Sequence, residues 1–155
     1  MVSSDSSHTN RRPRLLVNID VDDLPRAIAF YTQAFGLKPG RRFGDGGVEL
    51  LGAEAPIYLL VKATGTHACS ASEQTRSYER HWTPVHLDFV VDDLPAAIKR
   101  AVAAGAVLED PMRTANWGHI AHFADPFGNG FCLLEFLNRG YDEIASALGQ
   151  GHKND

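Results

Sequence analysis

The sequence predicts an α+β fold in which two tandem βαβββ modules build a cup-shaped, mostly antiparallel curved sheet with helices on its outer face. Two observations carry this reading. VDDLPRAIAF at 21–30 returns as VDDLPAAIKR at 91–100, identical at seven of ten positions. Each copy follows an apolar run, LLVNIDV (15–21) or VHLDFVV (85–91), whose Val, Leu, Ile and Phe content reads as a strand.

Each repeat then opens a helix. Asp22 or Asp23, and Asp92 or Asp93, supply carboxylates for the free N–H groups of a first turn, and Pro25 and Pro95 sit where no amide bond is lost. Leu24, Ile28, Tyr31 and Phe35 recur at helical spacing, as do Leu94, Ile98, Ala101 and Val102, and Gly36 and Gly105 are stops. Three short strands follow each helix. They are predicted at 38–44, 47–52 and 56–62, with turns DGG and GAEAP, and at 107–113, 118–124 and 131–137, with turns TANWG and DPFGNG.

The expected organisation is a disordered tail (1–13), a first module (14–62), a polar linker (63–83), a second module (84–138) and a C-terminal helix and tail (139–155), the helix reading RGYDEIASALG (139–149). A 21-residue connection is long inside one compact domain but natural between two units. Each unit covers one sheet face with its helix and leaves the other bare. Two units side by side therefore make a cup with walls from both halves, and the duplication builds a pocket.

Composition narrows the function. The 155 residues carry a net charge of −4, with no basic cluster beyond Arg11, Arg12 and Arg14, which argues against nucleic-acid and anionic-membrane partners. Two cysteines, Cys69 and Cys132, suggest no disulfide framework, and no run reaches the length of a membrane span, so a cytoplasmic location is expected. Exposed edge strands and pseudo-symmetry favour a homodimer.

DDLPRAIAFYTQAFGL (22–37), DDLPAAIKR (92–100) and DPFGNGFCLLEF (125–136) together resemble the vicinal-oxygen-chelate superfamily, the glyoxalase, bleomycin-resistance and extradiol-dioxygenase group, over residues 14–137. The resemblance implies either metal-dependent isomerase, lyase, transferase or dioxygenase chemistry, or metal-free sequestration of drugs. It places metal ligands on the first and last strands of the modules, which here are Leu16, Tyr58, His86 and Cys132. Leu16 has no donor atom and a neutral phenol is a poor ligand, whereas a catalytic zinc takes three protein donors. No cofactor is therefore expected. The alternative is one divalent metal in a rearranged site of His86, Asp88 and His122.

Alternation places His86, Asp88 and Val90 on one face of the second module's first strand, and Leu16, Asn18 and Asp20 on the equivalent face of the first. The expected ligand-binding walls are Leu16, Asn18, Asp20, Tyr58, Leu60, His86, Asp88, His122, Cys132 and Leu134. His86 with Asp88 is the catalytic candidate, as a base and its orienting carboxylate. Cys132 reads as a small apolar filler and Glu135 faces away from the cup. Trp82 and Trp117 sit where they edge a pocket or cap the core. The expected function is binding of a small, partly apolar organic molecule in the cup. The alternative is a metal-dependent lyase, isomerase or dioxygenase around His86.

Overall fold

The computed structural model describes residues 13–146, so the expected tail lies almost wholly outside the described residues. Element order is β1 (Val17–Val21), α1 (Leu24–Phe35), β2 (Lys38–Arg42), β3 (Gly47–Leu51), β4 (Ile57–Val61), β5 (Leu87–Val90), α2 (Leu94–Ala104), β6 (Val107–Ala115), β7 (Gly118–Ala124) and β8 (Gly130–Phe136). This is βαβββ twice. The strands form two open four-stranded sheets, ordered β1-β4-β3-β2 and β5-β8-β7-β6. In each, the first strand runs parallel to the last and the other pairs are antiparallel.

Asp23 and Asp93 are the caps, each accepting a 2.9 Å bond from the backbone N–H three residues on (Arg26 and Ala96). Gly36 and Gly105 end the helices with φ of 68° and 112°, a left-handed conformation that favours glycine. The helix faces match expectation in part, with Ile28, Phe35 and Ile98 packed against the core only partly buried. Leu24, Ala27, Phe30, Tyr31 and Ala34 are buried on α1, and Leu94, Ala97 and Ala101 on α2, whereas Val102 points to solvent. The cause is packing between modules. Phe35 stacks on Phe89 at 4.0 Å between centroids, Phe30 meets Phe131 edge-on, and the small residues of α2 leave room for α1. One core cluster therefore spans both units.

The C-terminal segment differs as well. Gly140–Glu143 forms a single 3-10 turn, and residues 147–149 of the expected helix lie outside the described residues. No helix among the described residues is long and apolar enough to cross a membrane.

Candidate functional site

Strand register builds two equivalent rows on the sheet faces turned away from the helices. Across the first sheet Asn18, Tyr58 and Glu49 are neighbours. Across the second the row is Asp88, Cys132, His122 and Asp110. The opposite faces carry Ile19, Val48 and Leu59, and Phe89, Ala121 and Leu133, which pack in the core.

β1 and β5 are edge strands of their separate sheets, and the seam between them borders two cavities. The larger, about 840 Å³, is walled by β1, β5 and linker residues 74–78 and 81–83. The smaller, about 620 Å³, lies between the end of α1, the β3–β4 turn, β5 and Arg100 of α2. Val17, Leu87 and Phe89 line both.

The linker is a strap fixed at two places. Arg76 Nε donates to Asp20 Oδ2 at 2.6 Å, and its Nη1 donates to Thr66 Oγ1 and to the carbonyl of His67. Tyr78 donates to the Lys62 carbonyl at 2.7 Å. Further on, the His81 backbone N–H donates to the Gly128 carbonyl, a His81 ring nitrogen meets Asn129 Oδ1 at 3.1 Å, and Arg80 forks onto Glu109. The DPFGNG turn that receives the strap is itself organised by Asp125, which accepts from the amides of Phe127 and Asn129 and from Asn129 Nδ2. Tyr31 of α1 adds a fourth bond, at 2.6 Å, tying the first module's helix to the second module's turn. Burial, with the adjacent Asp125 charge, raises the Tyr31 pKa well above a phenol's ordinary value.

Of the ten residues expected in the walls, Asn18, Asp20 and His86 line the larger cavity and Asp88 the smaller. Leu16, Tyr58, Leu60, His122, Cys132 and Leu134 line neither. His122 is paired with Asp110 at 3.0 Å. Cys132 and Leu134 are buried within the second sheet. Tyr58 donates to Glu49 at 2.9 Å, and Glu49, only 6 % exposed, accepts two side-chain bonds from Arg41. Those bonds hold the Glu49 carboxyl down at about 2. Glu135 faces the helices, as alternation requires, and accepts a 2.7 Å bond from the Leu94 amide. Trp82 lines the larger cavity and Trp117 packs against Phe136 and Tyr141.

Of the strap, sequence reasoning singled out Trp82 but not Arg76, Tyr78, Arg80 or His81, and it did not find Glu49. The strap has no periodicity to read. Glu49 did leave a signal, a lone carboxylate alternating with Val48 and Leu50 in a strand whose other face is core.

The metal that the resemblance implies has part of a donor set. Ligand atoms of His86, Asp88 and Cys132 lie within 4.8 Å of one another, a nitrogen, oxygen and sulfur trio suited in kind to zinc. The expected trio with His122 is not what converges. Leu16 contributes nothing, and Tyr58 is held by Glu49 and Arg41. The Cys132 thiol is pushed up to about 12 by burial and by Asp88, so metal binding there would first have to displace a tightly held proton.

Comparison with known proteins places this geometry. An uncharacterized protein of Mycobacterium tuberculosis, MT0910, is 30 % identical over 150 residues, covering 93 % of this chain and 87 % of its own length. The anthracycline biosynthesis protein DnrV of Streptomyces peucetius is 29 % identical over 131 residues, which span 83 % of this chain but only 43 % of that protein. Among solved structures, the fosfomycin resistance protein FosX of Listeria monocytogenes has the same fold, with a TM-score of 0.62 at 20 % identity, over 82 % of this chain and 95 % of that one. The hypothetical protein SA1046 of S. aureus matches at TM-score 0.63 and 21 % identity, over 81 % and 95 %. A family model described as a glyoxalase-like domain matches residues 16–134, from the first strand of one module to the last strand of the other. The chain belongs to that glyoxalase-like family, within the vicinal-oxygen-chelate superfamily.

Proposed function

We propose that the protein binds a small, partly apolar organic molecule in the larger seam cavity, without a resident metal. The supporting observation is the cavity itself. About 840 Å³ is the size of a drug or metabolite site, and its lining mixes Val17, Phe89 and Trp82 with a few polar groups, among them Asn18, Asp20 and His86. Both modules and the strap contribute walls, so the duplication has a use that one unit lacks. The kinship with DnrV, by name an anthracycline biosynthesis protein, is consistent with an organic ligand.

The test is a thermal-shift screen of apolar metabolites and drugs in excess chelator, repeated on Asn18→Trp, which fills the cavity from β1. Hits that stabilise the native protein and vanish in the variant support the reading; hits that persist in it place the site elsewhere. The reading includes a homodimer in the cytoplasm; exposed Val102, Val107 and Leu108 support the dimer, which sedimentation equilibrium checks.

A second reading, a divalent-metal lyase, isomerase or dioxygenase, is favoured by the convergence of His86, Asp88 and Cys132. In it His86 and Asp88 serve as ligands or as base and orienter. One equivalent of zinc or manganese per chain, lost in His86→Ala, would establish it.

A further inference from the structure

Resting on the cavity-binding reading above, we propose that the larger seam cavity selects flat aromatic molecules that are uncharged or cationic, and that Asp20 makes it reject anions. Trp82 carries the first half. Its side chain is 80 % exposed yet lines the cavity, beside Val85, which is also exposed. Together the bare indole and Val85 give the cavity an apolar wall that a ligand can cover. The strap holds it in place, because His81 is bonded to the DPFGNG turn and the Thr83 hydroxyl donates to the Val85 carbonyl at 2.5 Å. A flat ring entering the cavity gains an offset-stacked face on Trp82, while a globular aliphatic body of equal size gains only dispersion.

Charge carries the second half. Among the described residues Arg76 is the single guanidinium lining the cavity, its charge paired with Asp20 and its Nε and Nη1 taken by Asp20, Thr66 and the His67 carbonyl. Both His81 ring nitrogens face oxygen partners, and His86 lies 3.2 Å from Asp88. An incoming anion therefore meets an Arg76 charge already offset by Asp20 and sits near a second carboxylate, Asp125. The polar groups left open are neutral. Among the described residues the side-chain amides of Asn18 and Gln74 and the Thr75 hydroxyl make no hydrogen bond within the protein, and they suit carbonyl and hydroxyl oxygens. The pairing of Asp20 with Arg76 thus acts as a repulsive element as well as a structural one.

Four probes of similar bulk test this on the full chain in excess chelator, by calorimetric titration. They are quinizarin (flat, uncharged), proflavine (flat, cationic), anthraquinone-2-sulfonate (flat, anionic) and 1-adamantanemethanol (globular, uncharged). Quinizarin and proflavine are expected to bind saturably, and the sulfonate about tenfold or more weaker. Trp82→Ala, with an unchanged unfolding midpoint, should weaken the flat probes about five- to tenfold. Asp20→Asn should raise sulfonate affinity about tenfold by freeing Arg76, and adding Arg76→Gln should abolish that gain. Sulfonate binding equal to quinizarin binding, or no effect of either Trp82→Ala or Asp20→Asn, overturns the inference. Tight binding of the adamantane alone overturns it while leaving the cavity a ligand site. Binding of none of the four overturns the inference and the reading beneath it.

Discussion

Replacing Tyr31 with Phe removes one oxygen from the contact that ties the two modules together. The ring stays packed against Phe30 and Phe35, so no cavity of note is opened. What goes is a 2.6 Å bond to the Asp125 carboxylate, made by a side chain only 4 % exposed. A hydrogen bond to a charged group is worth about 1.5–3 kcal/mol. Asp125 keeps three other donors, so the lower part of that range applies, about 2 kcal/mol. For a chain of this size that corresponds to a fall in Tm of about 6 °C.

The pH dependence is a stricter check. Burial raises the native Tyr31 pKa, so above pH 10 the unfolded chain loses a proton that the native state keeps. Wild-type stability therefore declines as pH rises through that range, and Tyr31→Phe lacks this contribution. The gap between the two proteins should narrow as pH rises from 9 to 11. Urea denaturation of both across that range reads each quantity. A difference below about 0.5 kcal/mol at pH 7, or a gap constant to pH 11, would refute the inter-module tie as a contributor to stability.

Other predictions follow from the same geometry. Glu49→Gln should flatten the loss of native stability as pH falls from 5 towards 2, because the Arg41 bonds keep the native carboxyl ionised to about 2 while the unfolded one takes up its proton earlier; denaturation midpoints at three acidic pH values check this. With iodoacetamide at pH 8, exposed Cys69 should be alkylated quickly, whereas Cys132, buried and with its thiol pushed up to about 12, should react only on unfolding. Gly128→Ala should destabilise by about 1–3 kcal/mol and expose the strap to proteolysis. There φ is +82° and a Cβ would meet the Glu79 carbonyl, so limited digestion tracks whether the strap has lifted.

The repeat made the architecture legible because helix starts, stops and turns are local chemistry. Asp23, Pro25 and Gly36 act within one turn of themselves, and so do their counterparts seventy residues on. Helix orientation was less legible, because Phe30 and Val102 are assigned to core or solvent by how the modules meet. Alternation put Asn18 and Asp88 on one pair of sheet faces and turned Glu135 away from Cys132, while Tyr58 and Cys132 themselves came from the resemblance. It could not reveal that the larger space lies along the seam, since that depends on where the strap runs. The strap's course is set by Arg76 reaching Asp20 across 56 residues and by His81 reaching Asn129 across 48, pairings with no local trace. Convergence of Cys132, rather than His122, on His86 and Asp88 follows from register and rotamers, which spacing does not specify.

The most direct test of an organic ligand held in the seam without metal is an amide-resolved NMR titration with quinizarin in excess chelator. Saturable shifts confined to Val17, Asn18, Thr75 and the Trp82 amide and indole N–H are the predicted result. Shifts that appear only after a divalent metal is added, or that centre on Tyr58 and His122 instead, would contradict it.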